Sequence, residues 1–251
     1  MSKLILITGA TSGFGKATAE EFAQNDWDLI ITGRRNERLV ELKTNLENQY
    51  NIKVTTLCFD VQNKEAVNAA LKSIQNQLNN LDVLVNNAGL ALGKTTFDKA
   101  KIEDWDTMID TNVKGLLYVS KAIIPYLIEN KKGHIFNIGS TAGKETYLNG
   151  NVYCASKHAV DSITKSMRID LLPHNIKVTG ICPGLAETEF SVVRHKGNQE
   201  MADNTYKGMT PLYAKDIAEI IYFAANRPAH VCMNDIVITP TAQANSFYVN
   251  K

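Results

Sequence analysis

The chain has 251 residues, enough for one large domain or two small ones with a substantial buried core. Its 27 basic and 26 acidic side chains leave a net charge of +1, which provides no field for a polyanion or a charged membrane surface and argues against nucleic acid. The four cysteines (Cys58, Cys154, Cys182, Cys232) are scattered, with no paired spacing and no histidine at ligand distance in sequence; they read as reduced core thiols of a cytoplasmic protein, with no metal site expected.

The opening stretch "MSKLILITGA" has too few apolar residues for a secretory signal, and no apolar run approaches the ~20 residues of a membrane span. Short runs at 3–8, 28–32, 53–59, 82–85, 134–138, 177–181 and 235–239 are apolar on both faces, as in strands covered by helices on each side. Helical periodicity lies between them, near 14–25, 36–50, 63–79, 103–130, 152–172 and 214–226. Strand–helix alternation at this spacing predicts a doubly wound, Rossmann-like parallel α/β sheet of about seven strands, with helices on both faces. No linker or composition shift divides the chain, so a single domain over 1–251 is expected. The segment 183–213 lacks a clear period and is longer than an ordinary connector, which suggests a lid within that domain.

The first strand runs into "TGATSGFG", placing Gly9, Gly13 and Gly15 at a strand-to-helix junction. Glycines there allow a tight turn, close approach of backbone to phosphate, and close helix–strand packing. The following helix would direct its N-terminal N–H groups at a pyrophosphate, with Thr11 and Ser12 adding hydroxyls and Phe14 lying beside them. A Walker-type loop is excluded, because it needs Gly at position 10 and Ser or Thr at position 17, and both are alanine. The second strand ends "TGRRNERL". Gly33 stands where NAD-binding folds usually carry an acid, and Arg34 and Arg35 follow. The missing carboxylate and two guanidiniums favour a 2′-phosphate, hence NADP(H). Asp60, ending the third strand, could accept from the adenine amino group while Val61 contacts the ring.

Ser140 follows the fifth strand, thirteen residues before Tyr153, and Tyr153 and Lys157 share one helical face at i, i+4. Asn112 lies on the preceding long helix. A serine hydrolase would need glycine two residues before Ser140, where Ile138 stands, and none of the five histidines is placed as a general base.

The segments "TGATSGFG", "NNAG" (86–89), Asn112, Ser140, "YCASK" (153–157) and "PGLAET" (183–188) together resemble the short-chain dehydrogenase/reductase family from end to end. The similarity narrows to NADP-dependent 3-hydroxy acid dehydrogenases, a branch that includes serine and allo-threonine dehydrogenase activity, through "TGRRNERLVELK", "NNAGLALGK", "DWDTMIDTNVKGL", "GNVYCASK" and "TEFSVVRHKG". The resemblance implies that Tyr153 is the general acid/base, and that Lys157 lowers its pKa and binds the nicotinamide ribose. It implies that Ser140 holds the substrate oxygen and that Asn112 holds a relay water. Asn87, Ala88 and Gly89 would pack along the cofactor, Pro183 and Gly184 would wall the nicotinamide, and Thr188 would bind its carboxamide. A homotetramer built on the helices near 103–130 and 152–172 is also implied.

The substrate class expected is a small hydroxy acid or its carbonyl partner, and Arg194 in "SVVRHKG" is the candidate for its carboxylate, because guanidinium offers a bidentate fork. A broad carbonyl reductase with the same four residues, and a non-catalytic NADPH sensor, remain the alternatives.

Overall fold

The computed structural model describes residues 2–251, and all seven expected strands form and share one sheet. They are β1 (Leu4–Ile7), β2 (Asp28–Gly33), β3 (Val54–Cys58), β4 (Leu81–Asn86), β5 (Gly133–Ile138), β6 (Ile176–Pro183) and β9 (Asp235–Ile238). Two short strands, β7 (Ala186–Glu187) and β8 (Leu212–Tyr213), pair separately. The helices are α1 (Gly13–Gln24), α2 (Asn36–Gln49), α3 (Lys64–Ser73), α4 (Gln75–Leu78), α5 (Ile102–Ile109), α6 (Leu116–Glu129), α7 (Asn151–Asp170), α8 (Glu189–Arg194), α9 (Gln199–Asn204) and α10 (Ala214–Ala225).

Every pairing in the large sheet is parallel, in the order β3-β2-β1-β4-β5-β6-β9. Alternation along each strand sends successive side chains into opposite layers. On β1, Ile5 and Ile7 join Phe22 of α1, Leu39 of α2 and Ile221 of α10. Leu4 and Leu6 point the other way, toward Val67 of α3, Val119 and Ile123 of α6 and Val160 of α7. Each such buried aliphatic contributes about 1.5–3 kcal/mol, and both faces of β1 are covered in this way. The strand order reverses between β1 and β4, so their carboxyl ends open a crevice where ligands bind in sheets of this kind.

Four expectations are refined. The helix expected at 63–79 breaks at Ile74 into α3 and α4. The helix expected at 103–130 is α5 and α6 joined by a π-helical turn, Asp110–Gly115. Gly115 in that turn lies so close to Val61 that a Cβ would come within 2.7 Å of its Cγ2, and Asn112 is turned into the interior. The segment 183–213 is largely structured, with Thr188 capping α8 through Phe190 N–H and Asn198 capping α9 through Met201 N–H. Cys58 is exposed rather than a core thiol, while Cys154 and Cys182 are buried. Among the described residues no helix is long and apolar enough to cross a membrane, and no cluster of metal-ligating side chains occurs.

Candidate active site

The crevice is a cavity of about 830 Å³ that runs from the end of β2 to the lid. Its floor is a stitched junction of β1 and β4. Asn87 Nδ2 donates to Thr8 O at 2.8 Å and to Gly9 O at 3.1 Å, and Thr8 Oγ1 accepts from the N–H groups of Asn87 and Ala88. Gly9 and Gly13 have φ of +66° and +52°, a backbone that other residues adopt with strain. Gly15 serves differently: it does not line the cavity, and a Cβ there would stand 2.4 Å from both Asn87 Nδ2 and Gly9 O. It lets α1 close onto the junction.

The N-terminus of α1 is open to an anion. Ser12 holds the N-cap position without capping, and no acidic residue lies in the first turn. Arg35 is drawn over this loop, donating from Nε and Nη2 to Thr11 Oγ1 at 3.1 and 2.8 Å, and from Nη2 to Ser12 Oγ at 2.9 Å. Arg34 reaches Asp60 at 3.4 Å, and both line the cavity with Val61. Two guanidiniums, a bare helix terminus and glycine backbone fit the phosphates of a dinucleotide.

At the other end of the cavity lie Ser140, Tyr153 and Lys157. Ser140 Oγ accepts from Ala142 N–H and donates to Pro183 O at 3.4 Å, which fixes it at the carboxyl edge of β5 and β6. Lys157 is buried; its Nζ donates to Ile138 O at 2.8 Å, and burial pulls its pKa down to about 8. Gly89 faces this ammonium, and a Cβ there would sit 3.6 Å from Nζ. Tyr153 is also buried, and desolvation pushes its phenol well above the ordinary value. The Ser140 hydroxyl and the Arg194 guanidinium pull it back. Desolvation is the largest influence on the phenol, and Arg194 is a cation that draws it back down.

Asn112 is separated from the cavity lining. Its Oδ1 accepts from Leu90 N–H at 2.8 Å, and its Nδ2 donates to Leu90 O at 2.8 Å and to Ser156 Oγ at 3.0 Å. The side chain ties the loop after β4 to α7, one residue from Lys157.

Arg194 ends α8, with its guanidinium carbon 5.3 Å from the Tyr153 ring centroid and 5.6 Å from that of Tyr147. Nη1 donates to Tyr147 Oη at 2.9 Å, while Nε and Nη2 are buried and have no partner. Gly93 N–H bonds Arg194 O at 3.0 Å, and Lys196 pairs with Asp104 at 2.7 Å, so the segment around α8 is fastened to the loop after β4 and to α5. Thr188 lies over Gly13, and Phe190 tilts against Tyr153 with ring centroids 5.6 Å apart. The cavity thus gathers all the expected site residues except Gly15 and Asn112.

Reading the chain alone missed Tyr147, Phe190 and Gly143. A Cβ on Gly143 would meet Lys157 O at 2.5 Å, so this glycine lets the Ser140 loop rest on α7. The run "STAG" after a strand was the available signal for Gly143; nothing local marked the two aromatics.

Comparison with known proteins agrees with this geometry. The short chain dehydrogenase family model matches residues 3–199. Sulfoacetaldehyde reductase 2 of Chromohalobacter salexigens is 45% identical over 249 residues, covering 99% of this chain and 98% of that protein. The NADP-dependent 3-hydroxy acid dehydrogenase YdfG of Salmonella typhi is 46% identical over 242 residues, 96% of each. The closed form of a serine dehydrogenase complexed with NADP+ superposes with a TM-score of 0.91 at 44% identity, covering 97% of both chains. The chain belongs to the short-chain dehydrogenase family.

Proposed function

We propose that the protein is an NADP-dependent oxidoreductase that interconverts small 3-hydroxy acids, such as serine, allo-threonine or 3-hydroxypropionate-like acids, with the matching oxo acids or semialdehydes. The observation that carries this reading is Arg194: two buried, unpartnered guanidinium nitrogens, Nε and Nη2, on a cation held beside Tyr153, in the cavity that also contains Ser140 and Lys157. A buried donor left without a partner costs free energy, so such a pair of donors calls for an anionic acceptor. A neutral ketone leaves them unmatched, and a sensor needs neither them nor the buried tyrosine.

NADP, held by Arg34, Arg35 and the glycine loop, supplies the hydride acceptor or donor. Tyr153 Oη takes the alcohol proton in oxidation and returns it to the carbonyl oxygen in reduction. Ser140 Oγ donates to that same oxygen and holds it in line with Tyr153. Lys157, whose ammonium faces Gly89, would bind the ribose hydroxyls, and Thr188, Pro183 and Gly184, which line the same cavity, would hold the nicotinamide. Asn112 acts as a positioning residue through Leu90 and Ser156, and residues 183–213 serve as the lid. A tetramer is consistent with the exposed Ile102, Leu117 and Ile169 on α5, α6 and α7.

A sulfonate aldehyde is the second reading. The same fork on Arg194 donates to two oxygens of a sulfonate as readily as to those of a carboxylate, and the Chromohalobacter relative carries a name of that kind. A panel of 3-hydroxy acids, sulfoacetaldehyde and neutral ketones, run with NADP and NAD in parallel, separates these readings. Arg194→Ala is expected to raise KM for the anionic substrates about 10- to 100-fold, as loss of a charge-assisted bond worth about 1.5–3 kcal/mol implies. An equal loss on a neutral ketone would refute the assignment.

A further inference from the structure

Glu189 opens α8, and both of its carboxylate oxygens are taken by arginines from around the start of α2. Oε2 accepts from Arg35 Nη1 at 3.0 Å, and Oε1 accepts from Arg38 Nη1 at 2.7 Å. Arg35 is at the same time spread over Thr11 and Ser12 of the glycine loop. A carboxylate gripped by two guanidiniums at the edge of a phosphate loop has the geometry of an anionic ligand group in its site. Thr11, Ser12, Arg35 and Glu189 all line the cavity, so a dinucleotide must meet this clasp.

The helix that carries the clasp also carries the substrate cation. α8 is six residues long, with Glu189 first, Phe190 against Tyr153, and Arg194 last. A change at Glu189 is therefore transmitted along one short rigid element to the reacting end.

We propose that Glu189 is a positioning residue that occupies Arg35 in place of the cofactor's 2′-phosphate and surrenders it when that phosphate arrives. The proposal rests on the NADP reading above. A phosphate and a carboxylate cannot share one guanidinium fork without like-charge repulsion. The Glu189 pairs are about half exposed, with side-chain exposures of 42–46%, and pairs of that kind are weak enough to trade partners. Surrender of Arg35 leaves the Glu189 end of α8 held by Arg38, with the Arg194 end still bonded to Gly93 N–H. NADP then loosens the lid's attachment at the adenosine end, whereas NAD leaves it clasped, so the lid reads which cofactor is bound.

The test uses cofactor fragments that never reach the nicotinamide end. 2′,5′-ADP and 5′-AMP are titrated by calorimetry into the wild type and Glu189→Gln, with thermal melts confirming that the variant is folded. Removing the internal competitor should tighten 2′,5′-ADP about 2- to 5-fold, the range set by an exposed ion pair, and leave 5′-AMP unchanged. Hydrogen exchange of the 189–194 amides should speed up in the wild type with 2′,5′-ADP and not with 5′-AMP, and should be fast from the start in the variant. Weaker or unchanged 2′,5′-ADP binding in the variant, or an equal change for both fragments, overturns the clasp. A wild type that does not prefer 2′,5′-ADP overturns the NADP reading itself, and the clasp with it, because that comparison does not involve the substitution.

Discussion

His134 lies on β5 beneath the sheet's helical cover, 3% exposed, with Nε2 2.7 Å from Thr179 Oγ1 and its ring 3.9 Å from that of Phe136. Its Nδ1 has no partner. Burial, aided by the ammonium of Lys177 paired opposite it on β6, pulls its pKa from the ordinary 6.5 down to about 3. The native state thus refuses a proton that the unfolded chain takes up below about pH 6.5. Its contribution to stability is complete above 6.5 and is lost as pH falls toward 3. At about 1.36 kcal/mol per pH unit, the loss reaches about 2 kcal/mol at pH 5 and about 5 kcal/mol at the acid limit. His134→Gln keeps a side chain that can bond Thr179 and removes the titration. Urea unfolding of both proteins near pH 7.5 and pH 5, at one protein concentration, isolates the effect, since every other titrating group contributes to both. The wild type should lose about 2 kcal/mol more than the variant between the two pH values. Identical losses would refute the assignment of a neutral, proton-refusing imidazole to the core.

Two further outcomes are expected at the reacting end. Tyr153→Phe removes only the phenolic oxygen and should leave NADPH binding nearly intact while turnover falls by at least about 10³-fold, within the range of general acid–base catalysis; single-turnover kinetics beside a fluorescence titration checks both halves. Asn112→Ala strands the N–H and C=O of Leu90 in the interior and should cost about 2–4 kcal/mol of stability, a Tm drop of roughly 4–15 °C by calorimetry for a chain of this size. An unchanged Tm would show that the Leu90 bonds are not needed to hold the loop.

The sheet was legible because it is written locally. Runs such as "LILIT" and "DLIIT" are β-branched and apolar on both faces, and that pattern has few other homes than a covered parallel sheet. The glycine loop was legible for the same reason, since its chemistry sits within eight residues. The helix at 103–130 was read as continuous because apolar periodicity survives a single added residue; the π-turn shows only when Gly115 meets Val61, a residue more than fifty positions away. The pull of Lys157 on Tyr153 is what the family resemblance implies for a pair at i, i+4 spacing. That spacing sets proximity but says nothing of burial, and burial is what dominates both groups.

The lid shows where linear reading stops. Its two helices are six residues each, under two turns, too short for a hydrophobic period to register. What holds α8 is contact across the chain: Glu189 to Arg35 and Arg38, Gly93 N–H to Arg194 O, and Lys196 to Asp104. The Glu189 ion pairs are half-exposed and individually weak, and beside them Phe190 packs into the apolar cluster around Tyr153. Arg194 was legible from sequence as the candidate cation for a carboxylate, but its surroundings were not. Its place between Tyr147 and Tyr153, with two guanidinium nitrogens unspent, is produced by the lid's fastenings and by nothing within "SVVRHKG" itself.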